Sequence, residues 1–169
     1  MFDVSDDGYF DVREVGFVFA DPAKVKKEVL TQNAVNTRFR IPPGAANHPV
    51  NSQHYFSKET ELLSLFPHMH LRGKSFKYVL ERPDGSKKTL LSVPKYDFNW
   101  QNSYNFAKPL VVPKGSRIRC YARFDNSEGN LANPNPSKQV RWGDQTWDEM
   151  MIGYFDMAIS GQDLTKGKK

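Results

Sequence analysis

Two of the chain's four histidines, His68 and His70, are separated by a single residue. Side chains alternate between the two faces of a β-strand, so on a strand both imidazoles would project from the same side. Neutral imidazole is a ligand for copper, zinc, iron or nickel, and two adjacent imidazoles supply half of a typical site. The same spacing also occurs where histidines only line a polar surface. The pair is therefore a candidate metal site that needs a further ligand.

A methionine pair near the end of the sequence could supply that ligand. If residues 149–155 form the last strand, Met150 and Tyr154 share one face and Met151 lies on the other. A strand placed opposite the histidines would bring one of the two thioethers to them. Two imidazoles and a thioether favour copper, particularly Cu(I), over zinc or magnesium. Methionines on apolar strands are more often core residues, so the pattern leaves both roles open.

The elements that must position these residues are predicted to be short β-strands. Residues 125–137 are rich in Asn, Pro and Gly and predict a long loop, and Pro83, Asp84 and Gly85 predict a hairpin turn. Residues 24–30 fit a helix or a strand equally well. Short strands at regular spacing with turns between them predict one all-β domain, an antiparallel β-sandwich of jelly-roll type with long loops. The strands are predicted over residues 12–20, 37–41, 50–56, 61–70, 75–81, 88–93, 117–122 and 149–155.

Composition narrows the class of protein. The 169 residues fit one domain, and 38% hydrophobic and 13% aromatic residues are enough for a packed core. A single cysteine, Cys120, excludes an internal disulfide and is predicted to be a buried, inert thiol. The net charge of +5 is scattered without a basic face, so no nucleic-acid partner is expected. No apolar run approaches the roughly 20 residues of a membrane helix, and the acidic start is not that of a signal peptide.

Three short strings resemble one enzyme family when taken together. They are IPPG at residues 41–44, HMHLRG at 68–73 and DEM at 148–150. Their order and rough spacing resemble the ascorbate-dependent type II copper monooxygenases, which include peptidylglycine α-hydroxylating and dopamine β-monooxygenases, and most of all a bacterial relative of them. The resemblance covers the second, oxygen-activating domain of that family. It implies an N-terminal extension (1–11), a copper monooxygenase C-terminal-type β-sandwich (12–160) and a polar tail (161–169).

The resemblance also implies a site and a reaction. His68, His70 and Met150 become the ligands of one copper ion, and Tyr154 becomes a substrate-binding residue. Met150 is preferred to Met151 because it directly follows Asp148 and Glu149 in the family's pattern. The expected reaction inserts one oxygen atom from O2 into a substrate C–H bond, with ascorbate as the reductant of the full enzyme.

Departures from the family's pattern bear on the substrate and on the parent protein. Phe66 stands where peptide-processing members have an arginine, and Ile152 where they have an asparagine, so a small molecule without a peptide carboxylate is expected. The family's first domain holds another copper with three histidines, and His48 and His54 do not rebuild that site. The resemblance therefore implies a part of a larger polypeptide, working in an extracytoplasmic (periplasmic or secreted) space.

Two alternatives belong to other classes of protein. The chain could be a non-catalytic accessory module that binds copper or a protein partner. It could also be a carbohydrate-binding sandwich that uses Trp100, Trp142 and Trp147. Asp148 and Glu149 could contact and orient the metal ligands without binding the metal themselves. A solvated position at the start of the strand is the plainer interpretation.

Overall fold

The computed structural model of the chain describes Asp3–Val4, Phe10–Asp11 and residues 15–166. These residues form an all-β structure, and all strand pairing within it is antiparallel. The described strands are β1 (Asp3–Val4), β2 (Phe10–Asp11), β3 (Leu30–Val35), β4 (Arg40–Ile41), β5 (His48–Tyr55), β6 (Thr60–His68), β7 (Gly73–Glu81), β8 (Lys87–Val93), β9 (Tyr104–Val112), β10 (Arg117–Phe124), β11 (Val140–Arg141) and β12 (Ile152–Ile159).

Eight of these strands build two four-stranded sheets. One sheet has the order β3-β12-β6-β9 and the other the order β5-β10-β7-β8. Counted along the chain, the first of the eight pairs with the last, the second with the seventh, the third with the sixth and the fourth with the fifth. This nested pairing is that of a jelly roll. The predicted fold class, an antiparallel β-sandwich of jelly-roll type, is confirmed.

The inward faces of the two sheets form a single apolar core. Phe56 and Phe155 pack with ring centres 5.7 Å apart, and the Tyr78 hydroxyl donates a hydrogen bond of 3.1 Å to the carbonyl of Tyr154 on the facing sheet. Gly153 permits this close approach, because a Cβ there would lie 2.5 Å from Cys120 Sγ. Cys120 is fully buried, and burial raises the pKa of its thiol. The expectation of a buried, inert thiol agrees with this environment.

Several strand boundaries differ from the prediction. Residues 15–20 form no strand and are exposed, since no described strand pairs with them; residues 12–14 lie outside the described part. Residues 24–29 are turn and coil, and residues 37–39 are coil as well. The histidine strand ends at His68 and the last strand begins at Ile152, so His70 and Met150 both lie outside strands.

One long strand, β9, was not predicted at all. Pro109 lies within it and reads as a strand breaker, because proline cannot donate to a ladder. β9 lies at the edge of its sheet and pairs only with β6, so the missing N–H is tolerated there.

The predicted extension and tail lie partly outside the described residues. Within residues 1–11 only the β1–β2 pair is described, and residues 167–169 are not. The described part of the tail lies against residues 26–28, where the Leu164 N–H donates to the Lys26 carbonyl and the Glu28 N–H to Gln162 Oε1, both at 2.9 Å. Within the described residues, no helix is long and apolar enough to cross a membrane.

Replacing Met151 with Ala tests the core assignment. Met151 is fully buried in the core, so its loss is expected to lower the free energy of unfolding by about 2–5 kcal/mol. Met150→Ala is the matched control, because Met150 is only partly buried and should cost less. Urea denaturation of both variants measures the difference. Equal losses would contradict the assignment of Met151 alone to the core.

Candidate metal centre

The pairing of β6 with β12 determines which side chains meet on the outer face of their sheet. Ile152 lies opposite His68, and Tyr154 lies opposite Phe66. The Tyr154 ring stacks on Phe66 at 6.0 Å between ring centres and lies 6.4 Å from the His68 ring. His70 follows beyond the end of β6 and is buried. Tyr154 is thus beside the first of the two candidate histidines.

The orientation of the His68 ring is set by a glutamine that no sequence pattern indicated. His68 Nδ1 lies 2.6 Å from Gln101 Oε1, and Gln101 Nε2 donates to the carbonyl of Phe98 at 2.9 Å. The second bond fixes which end of the amide faces His68. Because an amide oxygen can only accept, Nδ1 carries the hydrogen and Nε2 is the nitrogen left for a ligand.

His70 is arranged in a similar way by a backbone group. Its Nδ1 lies 3.4 Å from the carbonyl oxygen of Asp148, a long contact to another pure acceptor. Burial lowers the pKa of His70, the neighbouring His68 lowers it further, and the carbonyls of Asp148 and Gln145 oppose the shift. A lowered pKa favours the neutral imidazole that binds metals. Histidines that bind a metal usually donate the N–H of their other ring nitrogen to an oxygen acceptor.

The distance between the two rings matches what a shared metal requires. Their centres are 5.2 Å apart and their planes are inclined by 84°. Two imidazoles that bind one ion at about 2.0 Å through nitrogen, with tetrahedral angles, have ring centres about 5 Å apart. The predicted adjacency of His68 and His70 is therefore present, although His70 reaches it from a loop and not from the strand.

The carboxylate of Glu149 holds this loop. Glu149 is fully buried, and its Oε2 accepts the His70 N–H at 2.9 Å while its Oε1 accepts the Arg72 N–H at 2.6 Å. The expectation of a solvated position is wrong for Glu149. Burial raises its pKa to about 8, against the opposing effects of the two N–H groups and the Arg72 charge.

Arg72 extends the network to the rest of the structure. Its side chain is almost fully buried, with Nε donating to Asn126 Oδ1 at 2.8 Å and Nη1 to the Trp147 carbonyl at 2.9 Å. Asn126 Nδ2 in turn donates to the carbonyls of Pro42 and Lys138, each at 2.9 Å. The strings at 41–44, 68–73 and 148–150, which are far apart in the sequence, thus belong to one hydrogen-bonded network.

A tyrosine closes the loop from the other side. The Tyr96 hydroxyl accepts the Met69 N–H at 2.9 Å and donates to the Met69 carbonyl at 2.8 Å. Gly73 is required here, because a Cβ at this position would lie 2.7 Å from the Tyr96 ring. The histidine loop is therefore fixed at both its middle and its end.

The two methionines occupy different environments. Met151 is buried in the core, whereas Met150 is partly buried and lies two residues before Ile152. The described β6–β12 pairing begins at Ile152 opposite His68, so Met150 lies just before the first pair of the ladder. The contacts of Asp148 and Glu149 with His70 show that this segment lies against the histidine loop.

The remaining histidines do not join the pair. His54 packs edge-on against Phe56 and Phe155, with its Nδ1 3.1 Å from the Asn33 carbonyl. His48 lies on β5 opposite Phe124, in the other sheet. Within residues 15–166, no group of three or more His, Cys, Asp or Glu side chains is placed to hold a metal ion. A third protein ligand to a metal at His68 and His70 would therefore be of another type, such as the thioether expected from Met150.

The three tryptophans do not form one surface. Trp100 and Trp147 are exposed, by 69% and 58% of their surfaces, whereas Trp142 is partly buried against the core. Trp100 directly precedes Gln101, and the Trp147 carbonyl accepts from Arg72. Trp100 is therefore next in sequence to the residue that contacts His68, and Trp147 contacts Arg72 through its backbone carbonyl.

Comparison with known proteins yields only distant structural similarities. No protein-family model matches the chain, and no curated protein matches it. The chain is similar to the infectious bursal disease virus Gx strain structure (12% identity, TM-score 0.38, 87% of this chain and 38% of that one). It is similar to the VP2 subviral particle of that virus (13%, TM-score 0.40, 87% and 37%) and to the Gt strain (12%, TM-score 0.36, 87% and 37%). The chain spans less than two fifths of the length of these proteins.

Replacing Glu149 with Gln removes a buried titrating group while keeping its shape. The folded-state pKa of about 8 lies above the ordinary value of 4.5, so between these values the folded state keeps a proton that the unfolded state has lost. The stability from this group is full below pH 4.5 and is lost as the pH rises towards 8. We expect the free energy of unfolding to fall more steeply with pH in the wild type than in E149Q, as measured by urea denaturation across that range.

The matched control for this experiment is Glu128→Gln, which changes an exposed glutamate. Its pH dependence should follow that of the wild type. Parallel curves for the wild type and E149Q would show that Glu149 does not titrate in this range.

Proposed function

We propose that this chain is a copper-binding oxygenase domain in which His68, His70 and Met150 hold one copper ion. The observation that carries the proposal is the pair of imidazoles, each with Nδ1 directed at an oxygen acceptor and with ring centres 5.2 Å apart. Two imidazole nitrogens with a thioether suit copper better than zinc or magnesium. The resemblance of the three sequence strings to the type II copper monooxygenases supports the same metal.

The residues around the ligands orient them. Gln101 and the Asp148 carbonyl hold the Nδ1–H groups and leave Nε2 of each ring for the ion. Glu149 fixes the backbone of His70, and the β6–β12 ladder fixes His68. These contacts exist without metal, so the imidazole part of the site needs little rearrangement on binding.

The expected overall reaction is a monooxygenation. When bound, copper would supply the one-electron redox chemistry needed to activate O2 for attack on a C–H bond. One oxygen atom enters the substrate and the other leaves as water, which requires two electrons and two protons. Ascorbate is the proposed two-electron donor and is oxidised to dehydroascorbate. The electron-transfer copper domain of the family is not rebuilt by His48 and His54, so we place this chain within a larger, extracytoplasmic protein.

The outer face beside His68 is the proposed place for the substrate. Tyr154 and Phe66 stack there next to the His68 ring. Phe66 offers an apolar ring and no cation for a carboxylate, and the next outward residue of its strand, His68, lies opposite the apolar Ile152. This supports a small-molecule substrate that is not a peptide carboxylate.

Ligand variants test the metal set. His68→Ala and His70→Ala are expected to abolish tight binding of both copper oxidation states. Met150→Ala should weaken Cu(I) more than Cu(II), because a thioether prefers the softer ion. Competition titrations with chromophoric chelators measure both affinities. His48→Ala, which alters a histidine of the other sheet, is the control and should bind copper as the wild type does.

X-ray absorption of the reduced protein examines the same set directly. One sulfur neighbour of copper is expected in the wild type and in Met151→Ala, and none in Met150→Ala. No sulfur in the wild type, or its loss in Met151→Ala, would exclude Met150 as the third ligand.

Oxygen consumption separates an oxygenase from an accessory copper-binding module. With ascorbate, and with copper equimolar to protein, the wild type should consume O2 through the His68 and His70 site. His68→Ala should reduce the rate to that of the matched protein-free copper control. A rate unaffected by this substitution would favour the non-catalytic accessory module.

A second candidate function rests on the two exposed tryptophans. Trp100 and Trp147 present large aromatic surfaces of the kind that stack on sugar rings. A carbohydrate-binding sandwich would bind saccharides equally well after treatment with a copper chelator. It would lose that binding in Trp100→Ala or Trp147→Ala.

A further inference from the structure

A groove of about 420 Å³ runs along the outer face of the β3-β12-β6-β9 sheet, next to Tyr154. Its size is that of a small-molecule site, and its walls are mainly apolar. The side chains that line it and carry the argument are Thr31, Ser64, Phe66, Tyr154 and Asp156. None of them belongs to the proposed ligand set.

The strand register arranges these side chains in a row that begins at His68. Phe66 and Tyr154 form the next cross-strand pair after His68 and Ile152, and Ser64 and Asp156 form the one after that. Residues four apart on a strand are separated by about 13 Å. The row therefore leads from an imidazole, past two stacked aromatic rings, to a carboxylate.

The carboxylate of Asp156 is held in place without being neutralised. Thr31 Oγ1 donates to its Oδ1 and Ser64 Oγ to its Oδ2, both at 2.7 Å. Hydroxyl groups orient a carboxylate but carry no charge. Among residues 15–166, none of the ion pairs includes Asp156. Asp156 is also partly buried, where an uncompensated charge is costly and a cationic partner is favoured.

We propose that this groove binds an elongated organic cation, with an ammonium or guanidinium group at Asp156 and an apolar body along Phe66 and Tyr154. Aromatic faces also attract cations and apolar chains, so both parts of such a ligand find complementary surface. An anion would be repelled by the negative charge of Asp156, and a neutral molecule would leave that charge unpaired. As the substrate of the copper site, the cation rests on the proposed function, and the far end of its body would point towards His68.

The length of the row limits which cations reach both ends. A compact ammonium ion would occupy only the Asp156 end. A molecule about 13 Å long, judged from the four-residue separation of Ser64 and His68, would extend from the carboxylate to the imidazole. The C–H bond to be oxidised would then lie several bonds away from the cationic group.

Three probes of equal length test the charge requirement. They are 4-phenylbutylammonium, 4-phenylbutanol and 4-phenylbutyrate, which all have a phenyl ring on a four-carbon chain; in the butyrate the fourth carbon is that of the carboxylate. Binding is measured by calorimetry and by NMR chemical-shift changes on copper-free protein. The ammonium probe is expected to bind about 10- to 100-fold more tightly than the alcohol, from one charge-assisted contact, and the carboxylate more weakly still.

Two substitutions that each remove one negative charge locate the effect. Asp156→Asn should abolish the preference for the ammonium probe, whereas Asp84→Asn, in the β7–β8 turn of the other sheet, should leave it unchanged. Phe66→Ala should weaken all three probes by a similar factor and keep their order. This variant leaves the Asp156 hydroxyl contacts in place, so it remains informative if D156N unfolds.

The outcomes separate this proposal from the proposed function. Equal affinities for the three probes, or the same loss in D84N as in D156N, would overturn the cation site. Because the protein is copper-free, the result does not depend on the metal. Copper-dependent oxygen consumption without cation preference would refute the groove alone, and cation preference without copper binding would refute the oxygenase alone.

Discussion

The carboxylate of Glu149 is the contact on which the geometry of the histidine loop depends. A fully buried acidic side chain accepts the backbone N–H groups of His70 and Arg72 and places the Arg72 guanidinium beside the turn at residues 41–44. Buried polar groups of this kind are costly unless each is satisfied, so the members of the network depend on one another. Removing Glu149 would leave the backbone N–H groups of His70 and Arg72 without their acceptor. Together with the Tyr96 hydroxyl at Met69, this residue fixes the position of His70 relative to His68.

The jelly-roll pairing explains why that carboxylate is available there. β12 lies between β3 and β6, so the segment that enters β12 runs beside the end of the histidine strand. Glu149 and Met150 belong to this entering segment, and the row of Tyr154 and Asp156 continues along the strand itself. One pairing thus brings together a support for the loop, a candidate ligand and the lining of the groove. Gly153 makes the arrangement possible, because any larger residue would collide with Cys120 on the facing sheet.

The sequence allowed the parts with local signals to be predicted. Alternation indicated β5, β7, β8 and β10, and the Pro-Asp-Gly turn indicated the hairpin, in which Gly85 has a φ of 81°. The sequence did not indicate β9, because a proline such as Pro109 argues against a strand. The proline is tolerated there because β9 is an edge strand. Residues 15–20 have strand composition but no described partner, and composition alone does not form a strand. The predicted strand boundaries were wrong where the local preference of the residues differs from the pairing that the tertiary structure provides.

The candidate site shows the same limit more sharply. The His-x-His spacing correctly predicted that the two imidazoles lie together. The prediction assumed that both lie on one strand, whereas only His68 does and His70 lies in the following loop. Gln101 is 33 residues from His68, and Glu149 is 79 residues from His70, so neither contact leaves a periodic signal. The alternation of Ser64, Phe66 and His68, and of Tyr154 and Asp156, did contain the row that forms the groove. What was missing was the register between the two strands, which depends on packing across the whole sandwich.

The contrast between fixed and adaptable parts has a consequence for the proposed metal. Both imidazoles are held by polar partners, and His68 also by a ladder, whereas Met150 lies just before β12 and outside any strand. A methionine has three rotatable bonds and a polarisable sulfur, so it adjusts its position more easily than a histidine that is tied at Nδ1. Copper changes its preferred ligands and geometry between oxidation states. A site with two rigid nitrogen ligands and one mobile sulfur would let the soft ligand follow that change while the nitrogens keep the ion beside Tyr154.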